Sequence, residues 1–134
     1  MIREFKTIEK DEVLDYLGLL MDFYVGPYPA NYHIALTNSS YICCCLEDGV
    51  VIGACRLITD YSRHTFVVDL SVKKEKRKTG VGRQIMKESI KIGSELRTGL
   101  SLSTDPRKPW LKGFYENLGF SRKEGNHFFS YPVK

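Results

Sequence analysis

The residues best placed to do chemistry form a glycine-containing turn at 77–82, Arg-Lys-Thr-Gly-Val-Gly. The turn follows an apolar segment and precedes a segment of helical periodicity, so it should present unpaired backbone N–H groups at a helix N-terminus. Such groups bind phosphate, because the unpaired donors and the positive end of the helix dipole act together. Residues 73–91 carry eight basic and two acidic side chains, a local charge of +6 in a chain of net charge +4. We expect an anionic ligand here, either a phosphorylated cofactor or nucleic acid.

Two common phosphate-binding motifs do not fit this turn. A Walker A loop requires Lys and then Ser or Thr after its last glycine, whereas Arg83 and Gln84 follow Gly82. A Rossmann fingerprint requires a third glycine where Ile85 stands. What remains is the pattern R-x-x-G-x-G between an apolar strand and a helix.

This pattern and its surroundings resemble the GNAT superfamily of acetyl-CoA-dependent N-acetyltransferases. The first matching motif is L-x-V-x4-R-x-x-G-x-G, and its members are Leu70, Val72, Arg77, Gly80 and Gly82. The second is F-Y-x-x-x-G-F at residues 114–120. The resemblance implies a single N-acetyltransferase domain over residues 1–134. It also implies an α/β fold, with a mixed, mostly antiparallel sheet of about six to seven strands flanked by helices.

The resemblance further implies which residues hold the donor. The backbone of the turn would cradle the pyrophosphate of acetyl-CoA, and the end of the preceding strand would hydrogen-bond the pantetheine arm. In the family this strand splays from the next one, here near 100–104, and the thioester lies in the gap. No metal is expected. The implied cofactor-binding residues are Leu70, Ser71, Val72, Arg77, Lys78, Thr79, Gly80, Val81, Gly82 and Arg83.

Two side chains are catalytic candidates. Tyr115 matches the position from which this family often protonates the departing thiolate, and a phenol, with an unperturbed pKa of about 10, can act as a general acid at neutral pH. Asp69 is the one charge in the apolar segment 65–72. Burying a carboxylate is costly unless it is paired or used. Asp69 would either orient the acceptor amine and relay its proton, or pair with a cation or with backbone N–H groups; both alternatives stay open.

The elements around the turn follow from periodicity and turn residues. Apolar side chains at helical spacing predict a helix over 10–24, a short one over 30–37 and another that begins at Gly80. Apolar runs at 41–46 and 50–58 flank Glu47-Asp48-Gly49 and predict a hairpin. Near-continuous apolarity predicts that the strand at 65–72 is buried on both faces. The remaining predicted elements are strands at 2–6, 99–103, 120–123 and 127–132 and a helix at 110–118.

Composition excludes several classes of protein. At 134 residues, 43% hydrophobic and 27% charged, the chain has the composition of an ordinary folded domain. No apolar run approaches the roughly 20 residues that cross a bilayer, and the charged N-terminus does not resemble a signal peptide. The consecutive Cys43, Cys44 and Cys45 match no metal spacing and suit buried free thiols in a reducing compartment. We therefore expect a cytoplasmic protein with no membrane partner.

Three functions compete. The first is an N-acetyltransferase that moves the acetyl group from acetyl-CoA to a primary amine, for which a small amine is expected. The amine would attack directly, because the chain shows no nucleophile–base pair. The second is a CoA-binding sensor or partner protein without catalysis. The third is a nucleic-acid-binding module; the basic stretch lacks the interleaved aromatic residues that stack bases, so no nucleic acid is expected. Edge strands near the C-terminus leave a homodimer open.

Overall fold

Within the residues that the structure describes, six strands form one sheet in sequence order, and four helices pack against it. The computed structural model describes residues 2–24, 29–122 and 128–132. The strands are β1 Arg3–Glu9, β2 Tyr41–Glu47, β3 Val50–Thr59, β4 Thr65–Val72, β5 Leu100–Ser103 and β6 Phe128–Tyr131. The helices are α1 Val13–Tyr24, α2 Tyr32–Thr37, α3 Val81–Glu95 and α4 Trp110–Asn117. Neighbouring strands are antiparallel except β4 and β5, which are parallel, so the predicted mixed α/β fold is confirmed.

The two faces of the sheet carry separate cores, because successive side chains of a strand point to opposite faces. Helices α1 and α2 cover one face, where Ile42 and Cys44 are buried. Helices α3 and α4 cover the other, where Cys43 and Cys45 are buried. All four cysteines are free and buried, as predicted. No helix in the described part of the chain has the length and apolar character needed to cross a membrane.

The predicted hairpin joins β2 to β3. Asp48 and Gly49 turn with φ of +51° and +82°, the left-handed pair that suits a two-residue hairpin loop. The first predicted helix begins later than expected, since residues 10–12 form a 3-10 turn and α1 starts at Val13. The predicted closing strands at 120–123 and 127–132 lie partly outside the described residues; within them, β6 is present and Ser121 bridges to Ser130.

Strand β4 has the predicted bounds but not the predicted burial. Thr65 and Val67 are buried, whereas Phe66 keeps 41% of its surface exposed and the rest of the strand is half-buried. The buried cluster under α1 and α2 takes residues from β1, β2 and β3 and none from β4. The prediction of burial on both faces is therefore wrong, because among the described residues the apolar core under α1 and α2 does not extend to β4.

Candidate active site

The connection from β4 to α3 contains a 3-10 turn and two left-handed residues. A 3-10 turn at Lys74–Lys76 leads out of β4, and α3 begins at Val81. Lys78 and Gly80 have φ of +61° and +88°, left-handed values that glycine adopts most readily. No atom lies within 4 Å of a Cβ placed on Gly80, so its backbone conformation rather than crowding favours glycine. We call residues 77–83 the phosphate loop.

Six consecutive N–H groups of the phosphate loop, those of residues 78–83, donate to no acceptor among the described residues. The first hydrogen bond of α3 runs from Gln84 N to the Gly80 carbonyl oxygen at 3.0 Å. The N–H groups of 81–83 are the unpaired donors of a helix N-terminus, and the dipole of the 15-residue helix adds positive charge there. The arrangement fits a phosphate or pyrophosphate group.

A gap opens between β4 and β5 beside this loop. Phe66 and Ser101 form the one residue pair that joins the two strands in the described chain, although β4 continues to Val72. Leu70 and Val72 pack toward the α3–α4 face. Ser71 and Val72 pair with β3 along the other edge of the strand. The pairing with β5 thus ends well before the end of β4, as the predicted splay requires, and an extended ligand could lie along the unpaired part of β4 as an added strand does.

Tyr115 lies on the inner side of α4, at the α3–α4 face of the sheet. Its ring packs among Phe114, Phe120 and Phe129, with centroid separations of 5.0, 5.7 and 5.6 Å. The residue is 6% exposed, and its hydroxyl makes no hydrogen bond to any described residue. Burial raises the pKa of Tyr115 to about 12. The phenol therefore keeps its proton at neutral pH, and its hydroxyl can donate a hydrogen bond to a ligand.

Asp69 lies in a bulge of β4. The register between β3 and β4 shifts between Ala54 and Arg56, so two residues of β4, Asp69 and Leu70, face one residue of β3. Asp69 has φ of +57°, a left-handed conformation that aspartate tolerates better than most residues. A bulge of this kind redirects the strand and its side chains.

Three side chains hold the bulge from the α1–α2 face. Arg56 Nε lies 2.8 Å from Asp69 Oδ2, and the Tyr32 hydroxyl donates to the same oxygen. The Tyr24 hydroxyl donates to the Asp69 carbonyl oxygen at 3.1 Å, and Arg56 Nη1 donates to the Ala35 carbonyl oxygen at 3.2 Å. These contacts neutralise the carboxylate and favour the structural alternative for Asp69. Its participation in catalysis stays a prediction.

The chain matches the profile of the acetyltransferase (GNAT) family over residues 6–120, from β1 to the end of the F-Y-x-x-x-G-F motif. The chain belongs to this family. The matched range includes the phosphate loop, the gap and Tyr115, and the GNAT family uses acetyl-CoA. No curated protein matches the chain by sequence.

Solved structures share the GNAT fold. A GNAT-family acetyltransferase from Streptococcus pneumoniae TIGR4 is 25% identical, with a TM-score of 0.66 over 90% of this chain and 88% of its own. AAC(6')-Iy, in complex with the bisubstrate analogue CoA-S-monomethyl-acetylneamine, is 18% identical, with a TM-score of 0.69 over 92% and 94% of the two chains. An aminoglycoside acetyltransferase, meta-AAC0020, from an uncultured soil metagenomic sample is 16% identical, with a TM-score of 0.68 over 98% and 97%.

Sequence reasoning missed Arg56, although a signal for it exists. Arg56 is the one charge in the apolar run 50–58, just as Asp69 is in the run 65–72. Two isolated opposite charges in strands that are consecutive in sequence predict a cross-strand ion pair. The GNAT motifs do not include this position, and the pair depends on the β3–β4 register.

Gly82, the second glycine of the GNAT loop, is not required by the protein's own packing. A Cβ there would lie 3.6 Å from Phe114 Cζ and 3.6 Å from Val72 Cγ2, an ordinary contact distance. Val72 ends β4 and Phe114 lies on α4, so an added methyl group would stand where the phosphate loop, β4 and α4 meet. Glycine at position 82 leaves the space between the phosphate loop, β4 and α4 free of a side chain.

Two clefts of this GNAT chain are lined by residues outside the phosphate loop. One of about 420 Å³ is bordered by Glu9, Tyr41 and Tyr61, at the other end of the sheet. Another of about 150 Å³ lies between the β5–α4 connection and β6. A phosphate site at this loop would need no enclosed cavity, because main-chain N–H groups at a turn can bind anions in an open concavity.

Proposed function

We propose that this GNAT-family chain is an N-acetyltransferase that moves the acetyl group of acetyl-CoA to a primary amine by direct attack. The observation that carries the proposal is the row of N–H groups at 78–83 without acceptors among the described residues. This row lies next to the end of β4, where the pairing of β4 with β5 has already stopped. The loop suits the pyrophosphate of acetyl-CoA, and the gap suits its extended arm. A turn that only reversed the chain would need neither feature.

Acetyl-CoA would be held mainly by the protein backbone. The N–H groups of 78–83 bind the pyrophosphate, and the exposed Lys78 and Arg83 add charge around it. Arg77 Nε donates to the Val72 carbonyl oxygen at 3.1 Å, which braces the loop against the end of β4. Residues 70–72 guide the pantetheine arm into the gap.

The proposed reaction needs a neutral amine as the nucleophile. Its nitrogen forms a bond to the acetyl carbon, the carbon–sulfur bond breaks with its electrons on sulfur, and the nitrogen releases its extra proton. Backbone N–H groups near the end of β4 would polarise the acetyl carbonyl. Tyr115 would donate a hydrogen bond, and then a proton, to the departing sulfur, and the proton that the attacking nitrogen releases would restore the Tyr115 phenol. The net result is an amide, a thiol and one proton released from the original ammonium group.

Direct attack is supported by the state of the cysteines. All four thiols are buried in β2 and β3, which lie on the other side of β4 from β5 in the order of the sheet. Burial raises the pKa of Cys44 to about 12, which keeps it a thiol at neutral pH. A covalent acetyl-enzyme on cysteine is therefore not proposed, and the two substrates would bind together before transfer.

A small cationic amine is the proposed acceptor class. Outside residues 73–91 the chain carries a net charge of −2, which suits a cationic substrate better than an acidic one. One structural neighbour is described as an aminoglycoside acetyltransferase, and another holds a bisubstrate analogue that contains CoA. These likenesses support an amine acceptor as a class.

Two measurements test the proposal. Calorimetric titration with acetyl-CoA should show saturable binding, and thiol release should then depend on one class within a panel of polyamines, arylalkylamines, aminoglycosides and peptides. Binding without thiol release for any amine would favour a CoA-binding sensor. Absence of acetyl-CoA binding would refute the proposal.

A further inference from the structure

A buried acid that the proposed reaction does not use stands behind the phosphate loop. Glu47, the last residue of β2, is 8% exposed. Its Oε1 lies 3.0 Å from Arg3 Nε, and its Oε2 lies 2.5 Å from Lys76 Nζ. The hydrogen bonds from Lys76 and Arg3 hold the pKa of Glu47 below its ordinary value, so the carboxylate is ionised at neutral pH.

Both cations connect Glu47 to the phosphate loop. Lys76 is the residue directly before the loop. Arg3 Nη1 lies 3.4 Å from the Thr79 carbonyl oxygen, and Arg3 Nη2 lies 3.4 Å from Thr79 Oγ1. Thr79 Oγ1 in turn donates to the Lys76 carbonyl oxygen at 2.5 Å. One carboxylate on β2 thus fixes the connection at residue 76 and, through Arg3, at residue 79.

The loop has physical reasons to need such an anchor. Residues 73–83 carry six basic side chains and one acidic side chain, which repel one another until an anion binds. The N–H groups of 78–83 find no acceptor among the described residues, and Lys78 and Gly80 hold left-handed conformations. A fixed negative charge behind the loop offsets the repulsion, and preorganisation of this kind raises affinity.

We propose that Glu47 is a positioning residue that holds the phosphate loop in the shape that binds pyrophosphate. The inference rests on the proposed function and separates the residue that positions the loop from the groups that act on the thioester. Glu47 affects the use of a donor that carries pyrophosphate, and it leaves the chemistry at the thioester unchanged.

Glu47→Gln keeps the shape of the side chain and removes its charge. With acetyl-CoA we expect kcat/KM to fall about tenfold through KM, the size of one lost charge-assisted hydrogen bond. Acetylpantetheine has the same thioester and arm but no pyrophosphate. With this donor, the kcat/KM of Glu47→Gln should equal that of the wild-type protein. Inhibition by inorganic pyrophosphate should weaken by a factor similar to the loss with acetyl-CoA. Equal losses with both donors, or wild-type kinetics with acetyl-CoA, would overturn the inference.

Glu4→Gln is the matched control. Glu4 lies on β1, is exposed, and pairs with Lys6 at 3.7 Å without contacting the loop, so both donors should behave as with the wild type. If Glu47→Gln does not fold, Arg3→Met keeps the Glu47–Lys76 pair and removes the contacts to the loop. The fall in kcat/KM of Arg3→Met should be smaller than that expected for Glu47→Gln, and it should occur with acetyl-CoA and not with acetylpantetheine.

The two proposals fail in different ways. A wild-type protein that binds no acetyl-CoA would refute the proposed function itself. A wild-type protein that uses acetyl-CoA, together with a Glu47→Gln variant of unchanged donor preference, would refute only the role of Glu47.

Discussion

Replacing Gly82 with alanine should change the stability of α3 and the binding of acetyl-CoA in opposite directions. Gly82 lies in the first turn of α3, where alanine favours the helix by up to about 1 kcal/mol. The new Cβ would lie 3.6 Å from both Phe114 Cζ and Val72 Cγ2, so no clash offsets this gain. A gain of 1 kcal/mol raises the Tm of a domain of this size by about 3–5 °C. Gly82→Ala should be at least as stable as the wild type.

The same methyl group should weaken the binding of acetyl-CoA. It would stand where the phosphate loop meets β4 and α4, next to the N–H groups of 81–83 that we propose contact the pyrophosphate. The pyrophosphate would have to move away from at least one of these donors. Loss of one hydrogen bond to a charged group, about 1.5–3 kcal/mol, corresponds to a Kd roughly ten- to a hundredfold higher.

Gly18→Ala is the matched control for this experiment. Gly18 is also a helix glycine, in α1, and nothing lies within 4 Å of a Cβ placed on it. Thermal unfolding and calorimetric titration of the three proteins should show that Gly18→Ala gains stability and keeps the wild-type Kd. Wild-type affinity in Gly82→Ala would refute the loop as the pyrophosphate site. A lower Tm for Gly82→Ala would instead show that the packing argument is wrong.

Three further predictions concern the gap and the bulge. Tyr115→Phe keeps the aromatic packing and removes the hydroxyl, so kcat should fall about a hundredfold while the Kd for acetyl-CoA stays unchanged; an unchanged kcat would remove the acid role. Because burial raises the pKa of Tyr115 to about 12, kcat/KM for an amine of low pKa should not fall between about pH 8 and pH 10.5; a descending limb near pH 10 would show an ordinary phenol. Arg56→Met leaves Asp69 without its cation and should destabilise the protein by about 1–3 kcal/mol in urea unfolding. Adding Asp69→Asn should recover part of this loss, and additive losses would contradict the ion-pair interpretation.

The strand, loop and helix at the centre of the site were predictable because each depends on local sequence. An apolar run sets the bounds of β4 at Thr65 and Val72, and the glycines and helical periodicity that follow set the start of α3. The exposure of Phe66 was not predictable in the same way, since it depends on which strands α1 and α2 cover. The bulge at Asp69 depends on the register with β3, which sequence periodicity does not specify.

Asp69 illustrates what the register adds to a motif. In the sequence it is an isolated carboxylate in an apolar strand, equally suited to proton transfer and to a structural ion pair. The structure brings Arg56 from β3 and Tyr32 from α2 to one oxygen of this carboxylate. To take a proton from an amine at that oxygen, Asp69 would have to give up one of these bonds, whereas holding the bulge requires it to keep both. The Asp69–Arg56 pair therefore shapes the bulge of β4 from the α1–α2 face, and the Glu47–Lys76 pair holds the connection that follows β4. The sequence motifs of the family include neither pair.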